Sequence, residues 1–205
     1  MFEEIKSAFS ENKIAIICSI AIFFISLILG YILQPQLYGF FNPHVEDLTN
    51  KVQSGVIQLK FGDIFFNNIK IIFQMFIYGI TFCFSAFLLA FNGFFAGYYV
   101  ACSNNLLYTL LLIIPHAIFE FPSCILACAG GFVLFNFVYK FLRALWNQDE
   151  ESILKCLSGS FEESFDKLKQ AIILFIIASI LMVIAGFVEV YLTIPIAKFV
   201  LSILS

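Results

Sequence analysis

One stretch of the chain limits its fold more than any other, because it is almost free of charge. Between Ile71 and Tyr139 the only charged residue is Glu120, and the only histidine is His116. The chain has 205 residues, of which 61% are apolar and 12% charged, about half the charged share of a soluble domain. So few charges cannot cover a surface in water. The sequence therefore predicts an all-α, polytopic membrane helix bundle.

Runs of about 20 apolar residues, the length that crosses a bilayer core, divide the chain into five predicted spans. The first is Ile14–Leu33, which we interpret as a retained anchor. Within the uncharged stretch, Asn92-Gly93 and the segment 115–122 are the candidate turns. The other predicted spans are then about 65–91, 93–114, 117–139 and 169–189. The segment 192–204 is too short to cross, which predicts a short C-terminal interfacial or re-entrant helix.

The basic residues give the predicted orientation. Seven of them fall on one side of the five-span arrangement: Lys6, Lys13, Lys140, Arg143, Lys155, Lys167 and Lys169. Because basic residues accumulate in cytoplasmic segments, we expect the N-terminus in the cytoplasm. The chain, residues 1–205, is predicted to form a single integral domain of the cell membrane, with the lipid bilayer as its first partner. The net charge of −3 and the lack of a basic run argue against a nucleic-acid partner.

Two amphipathic segments flank the predicted spans. The outer segment has its apolar residues at helical spacing, at Leu48, Val52, Val56 and Leu59. The inner segment has a similar stripe at Leu154, Leu157, Phe161, Phe165 and Leu168. Each pattern predicts a surface helix, which either packs on the bundle and the lipid headgroups or docks a partner.

Small residues four apart form two ridges. The first consists of Gly93, Gly97 and Ala101, and the second of Ser123, Ala127 and Gly131. In lipid, where no hydrophobic effect drives helices together, such ridges allow close backbone packing. They fit either the internal bundle, which we favour, or a homodimer, so that an oligomer stays open.

Six polar residues form the predicted functional cluster: His116, Glu120, Glu189, Asn92, Asn67 and Asn68. His116 and Glu120 share one helix face, because they are four residues apart. Since charges near the bilayer core are costly alone, we expect the titratable groups to meet toward the outer leaflet. Three roles are open: a helix tether, a proton, ion or polar-substrate path, and a metal site. The metal is unknown, because His-x-x-x-Glu is much less specific than the His-Glu-x-x-His motif, which is absent.

The order of these features resembles the stage II sporulation protein M family of multi-pass membrane proteins. The resemblance covers roughly residues 60–198 and depends on short motifs in a fixed order: Asn67-Asn68, Asn92-Gly93 with Gly97, His116 with Glu120, Gly130-Gly131, and Glu189 before Pro195. The family pattern has a glycine directly after the histidine, where this chain has Ala117. The resemblance supports the topology and the polar positions more than it supports a process.

The name-giving member of that family is similar to a membrane scaffold that works with peptidoglycan-degrading proteins during engulfment. The family also occurs in organisms that neither sporulate nor make that wall. The resemblance therefore implies a non-enzymatic scaffold or subunit of a membrane complex, which binds other membrane proteins and needs no cofactor. The alternative is a transporter or permease-like subunit with the His/Glu/Glu cluster along its path. An intramembrane metalloenzyme ranks last.

Overall fold

The computed structural model describes residues 2–53, 61–103, 105–147 and 153–204. In chain order the elements are α1 (Phe2–Glu11), α2 (Lys13–Gln53), α3 (Phe61–Ile77), a 3₁₀ turn (Tyr78–Thr81), α4 (Cys83–Ala101), α5 (Leu106–Asn147), α6 (Ile153–Phe187), a π-helical turn (Val188–Leu192) and α7 (Thr193–Leu204). These described residues contain no β-strand, and the predicted all-α class is confirmed.

Four helical stretches in the described residues are long and apolar enough to cross a membrane: Lys13–Pro43, Cys83–Ala101, Leu106–Trp146 and Leu157–Ile203. Helix α3 has 17 residues, the lower end of the spanning range. Large apolar side chains lie on the outside of the bundle, among them Ile28, Phe84 and Ile118. A surface of this kind suits lipid and not water, so the fold is that of a membrane protein.

Both turns predicted within the uncharged stretch are wrong. Asn92-Gly93 lies inside α4, and the segment 115–122 lies inside α5 together with both of its prolines. In lipid an open backbone has no water to satisfy it, so a dipeptide that turns in water remains helical. The same environment tolerates prolines within a helix, because neighbouring groups can compensate the lost hydrogen bond.

The chain instead reverses direction at residues 78–82. Phe82 adopts φ 52°, and its backbone N–H donates to the carbonyl of Gly79 at 2.8 Å. The next break follows α4, where the Asn105 side-chain oxygen accepts a hydrogen bond from the Tyr108 N–H at 3.1 Å and caps α5. The uncharged stretch thus holds three helices, as predicted, but their boundaries differ by about ten residues.

The C-terminal segment is a short helix, as predicted, and it follows α6 without a break in the helical backbone. The π-helical turn carries α6 directly into α7, with the Thr193 N–H bonded to the Val188 carbonyl. Pro195 is the third residue of α7, so its missing N–H falls where the hydrogen bonding changes from the π-helical to the α-helical pattern. The predicted inner amphipathic segment is likewise part of α6. The outer stripe, Leu48 to Leu59, lies outside the residues whose side chains the structure describes.

Helix α5 is the centre of the bundle, and its residues 123–134 are all buried. It packs antiparallel to α6, which is seen where the Ser123 hydroxyl donates to the Ala178 carbonyl at 2.7 Å. Helices α2 and α4 form a second pair and run parallel, since Gly93 lies beside Phe23 and Gly97 beside Leu27. Helix α3 packs against α5 and α6, and α1 packs across α6.

Candidate functional site

The titratable pair of α5 is half-buried and closely spaced. His116 Nε2 lies 3.9 Å from Glu120 Oε2, with 16% and 21% of the two side chains exposed. The other ring nitrogen of His116 is buried and has no hydrogen-bond partner among the described residues. Two prolines flank the pair, and each lacks the N–H that would bond the carbonyl four residues earlier. The pair therefore lies in a section of helix where two backbone carbonyls lack their usual helical hydrogen-bond donor.

The packing of α5 on α2 gives the depth of the pair. The ring of Phe121 contacts the ring of Phe23 with 4.7 Å between centroids. Phe23 lies halfway along the apolar run Ile14–Leu33, so Glu120, next to Phe121, lies near the middle of that run. The pair therefore lies within a continuous helix and not at a turn between two spans, as the interpretation of 115–122 as a turn assumed.

Helix register brings two of the asparagines to this same level. Asn92 precedes Gly93, on which a Cβ would stand 2.6 Å from the Phe23 carbonyl oxygen. Helix α3 runs parallel to α5 with Phe76 beside Gly130, so Asn68, two turns before Phe76, lies near the level of Glu120. Asn68 is half-buried, whereas Asn67 is exposed and does not join the interior.

Glu189 lies in the π-helical turn after α6 and is half-buried. The turn that carries it packs against α5, the helix of His116 and Glu120. The described residues contain no group of three or more histidine, cysteine, aspartate or glutamate side chains that could hold a metal ion. The described arrangement is thus a histidine–carboxylate pair with a second carboxylate nearby, and it offers no ligand set for the metal alternative.

The small-residue ridges lie in helix contacts within the chain. A Cβ on Gly97 would collide with the carbonyl oxygen of Leu27, and one on Gly30 with the carbonyl oxygen of Phe94. These close approaches join α2 to α4. Of the second ridge, Ser123 and Ala127 are buried, and Gly131 contacts the turn after α3. Ala101, at the end of α4, is half-buried.

A second polar group, which joins α1 to α6, was not predicted from the sequence. The Asn12 side-chain amide donates to Gln170 Oε1 at 2.8 Å, and both residues are buried. Lys167 Nζ donates to Gln170 Oε1 at 2.7 Å and to Glu11 Oε2 at 3.1 Å. Gln170 Nε2 in turn donates to Ser7 and to Glu11, at 3.1 and 3.0 Å. We call these five residues the α1–α6 clamp.

An ion pair between Lys169 and Glu4 extends the contact along α1. Hydrogen bonds from Ser7, Gln170 and Lys167 lower the pKa of Glu11 to about 2. The hydrogen bond from Lys169 lowers the pKa of Glu4 from its usual value. The partners are more than 150 residues apart, so no spacing in the sequence could relate them. The only local signal was a run of polar residues at 10–13, just before the first apolar span.

The comparison with protein families decides the relationship. Residues 19–194 match the family described as stage II sporulation protein M. The chain belongs to this family. It is 33% identical over 195 residues to the uncharacterized protein MJ0793 of Methanocaldococcus jannaschii, covering 93% of this chain and 99% of that protein. It is 30% identical over 212 residues to the uncharacterized protein MJ0706 of the same organism, covering 98% and 90%. No solved structure matches the chain.

Proposed function

We propose that this family member is a multi-pass protein of the cell membrane that acts as a non-enzymatic scaffold or subunit of a membrane complex. The observation that carries the proposal is the close packing of α5 at residues 123–134, which are buried without interruption. Backbones there approach each other directly, as at Gly131 and Gly79. A protein that moves a polar solute needs a path past this layer, whereas a scaffold needs only rigidity.

The α1–α6 clamp supports the proposed orientation. Lys167 binds Glu11, so α1 and the first half of α6 lie on one side of the bundle. Lys6, Lys13, Lys140 and Arg143 belong to the same end of the helices, since α5 runs antiparallel to α2 and α6. This concentration of basic residues favours the cytoplasm, with the N-terminus inside.

The same end carries an apolar surface that a partner protein would fit. Beyond Lys140, Leu142 and Trp146 of α5 are 56% and 90% exposed, and Phe161 and Phe165 of α6 are 44% and 45% exposed. Exposed aromatic residues are enriched at protein interfaces. Here Trp146 follows Arg143 in α5, and Phe161 and Phe165 precede Lys167 in α6, so the aromatic side chains lie further from the spans than these basic residues. We assign the docking of another membrane protein to this α5–α6 hairpin.

The experiment is photo-crosslinking in the native membrane. A photoreactive residue at Trp146 is expected to form discrete protein adducts, and one at Ile118, which faces outward at the level of Glu120, to form none. A matched flux assay in proteoliposomes is expected to show no proton or cation movement above empty vesicles. Reproducible flux from the purified protein would overturn the scaffold assignment.

A transporter or permease-like subunit is the second candidate, and the placement of His116 and Glu120 favours it. A histidine–carboxylate pair at mid-bundle is costly in lipid and is typical of proton or ion paths. Glu189 adds a second carboxylate nearer the start of α7. If proteoliposomes do show flux, Glu120→Gln should abolish it, because the amide keeps the shape and loses the charge.

A further inference from the structure

Helix α1 divides its charges between two sides. Its acidic residues Glu4 and Glu11 face α6, where Lys169 and Lys167 bind them. On the other side, Lys6 is exposed, and so is Lys13 at the start of α2. Within the described residues, neither of these two lysines makes an ion pair. The positive charge on this side of α1 is therefore available to an anion.

Lys6 and Lys13 line the same groove, of about 580 Å³, in the angle between α1 and α2. Its other walls are mainly apolar and come from both helices: Phe2, Ile5, Phe9, Ser10, Ile16 and Ile17. Phe2 and Ile17 are 78% and 63% exposed. The groove thus combines two cations with a long apolar wall. An anionic lipid has the complementary features, a negatively charged headgroup and an apolar chain.

The position of the groove favours a lipid over a soluble ligand. Lys13 immediately precedes the apolar run Ile14–Leu33, at the level where lipid phosphates lie. Ile16 and Ile17 continue the groove into the region of the acyl chains. The clamp holds α1 to α6 at this same level, so the groove lies at the end of the bundle where the first apolar run begins. Basic residues at the cytoplasmic surface attract anionic lipids.

We propose that the α1–α2 groove binds one anionic phospholipid of the cytoplasmic leaflet. Lys6 and Lys13 hold its phosphate, and the apolar wall that includes Phe9 and Ile17 holds the upper part of an acyl chain. The groove is separate from the proposed docking surface, because its residues belong to α1 and the start of α2 and not to the α5–α6 hairpin. The choice of leaflet rests on the proposed orientation.

Native mass spectrometry of the full-length protein tests this, with phosphatidylglycerol and phosphatidylcholine supplied in equal amounts. The wild type is expected to retain one phosphatidylglycerol in preference to phosphatidylcholine. Lys6→Gln combined with Lys13→Gln should lower that preference roughly thirtyfold, or about fivefold for each lysine, the attraction that one basic residue near an anionic surface contributes. Both lysines are exposed, so the variant is expected to keep the thermal unfolding midpoint of the wild type.

The charge-matched control is Lys70→Gln combined with Lys198→Gln, two exposed lysines on α3 and α7. It should keep the wild-type lipid preference. An equal loss in both double variants would show a net-charge effect and overturn the site. Competition by millimolar glycerol phosphate would show that the groove binds soluble anions. Capture of protein instead of lipid by a photoreactive residue at Ile17 would show that the groove is a protein-docking surface. Either result contradicts the proposal.

Discussion

Gly131 of α5 lies against the backbone of Gly79, in the turn that connects α3 to α4. A Cβ placed on Gly131 would stand 3.1 Å from the Gly79 Cα and 2.8 Å from the carbonyl oxygen of Met75. Real side chains do not fit at these distances unless backbone moves. The contact joins the central helix to the turn at residues 78–82, whose last residue, Phe82, is the only non-glycine residue with positive φ in the described chain.

The first prediction is that Gly131→Ala destabilises the bundle by about 1–3 kcal/mol, the usual cost of overpacking a close contact. Gly39→Ala is the control, because a Cβ there meets nothing within 4 Å and alanine favours the helix by about 0.5–1 kcal/mol. Thermal or denaturant unfolding in detergent measures both. If the Gly131→Ala protein were as stable as the wild type, the backbone of the turn at residues 78–82 would be able to move aside for the Cβ at no cost in stability.

Helix α4 shows which features of the fold the sequence could predict and which it could not. Asn92-Gly93 is a turn signal in water, but in this chain the glycine lets α4 approach the carbonyl of Phe23. The apolar composition predicted the all-α fold and the membrane environment correctly, since both depend on the average chemistry of the chain. The helix ends depend on single contacts between distant segments. The turn at residues 78–82 has only one glycine to indicate it, and so it was missed.

The candidate site follows the same pattern. The four-residue spacing of His116 and Glu120 predicted a shared helix face, and the structure places their polar atoms 3.9 Å apart. Their depth depended on whether 115–122 was a turn, which the two prolines suggested wrongly. The α1–α6 clamp joins Asn12 to Gln170 across 158 residues, and a single sequence holds no signal for such a pair.

The second prediction concerns the pH dependence of the clamp. The pKa of Glu11 is lowered to about 2 in the folded protein from an ordinary value of 4.5, mainly by the hydrogen bond from Ser7. A depressed carboxylate stabilises the fold fully above pH 4.5, and this contribution is lost as the pH falls from 4.5 toward 2. The wild type should therefore exceed Glu11→Gln in stability at pH 7, and the difference should shrink below pH 4.5.

Unfolding midpoints of the two proteins at pH 7, 4.5 and 3 measure this difference. Glu163→Gln, an exposed position on the same helix as Lys167, is the control and should follow the wild type throughout. Parallel curves for the wild type and Glu11→Gln, with a constant gap down to pH 3, would contradict the assignment. In that case the hydrogen bonds of Glu11, and not its charge, would be what the clamp needs.

The third prediction is topological. In a background without native cysteines, Asp63→Cys near the start of α3 should react with a membrane-impermeant maleimide from outside the cell. Ser158→Cys, on the first part of α6, should react only after the membrane is opened, because the following part of α6, at Lys167 and Gln170, is joined to the N-terminal helix. Both positions are exposed. Labelling of both from the same side would rule out the proposed passage of the chain between them.

The fourth prediction separates structure from function at the titratable pair. Glu120→Gln keeps the volume of the side chain and removes its charge. A charged side chain in an apolar environment costs a few kcal/mol on insertion scales, and the variant avoids this cost. The variant should therefore be at least as stable as the wild type in detergent. His116→Gln is the matched test of its partner, 3.9 Å away, and should be similarly tolerated. If Glu120→Gln loses several kcal/mol of stability, the carboxylate is a structural hydrogen-bond acceptor that tethers α5. If the variant keeps its stability but loses the crosslinks at Trp146, the pair is instead coupled to partner docking at the far end of the same helix.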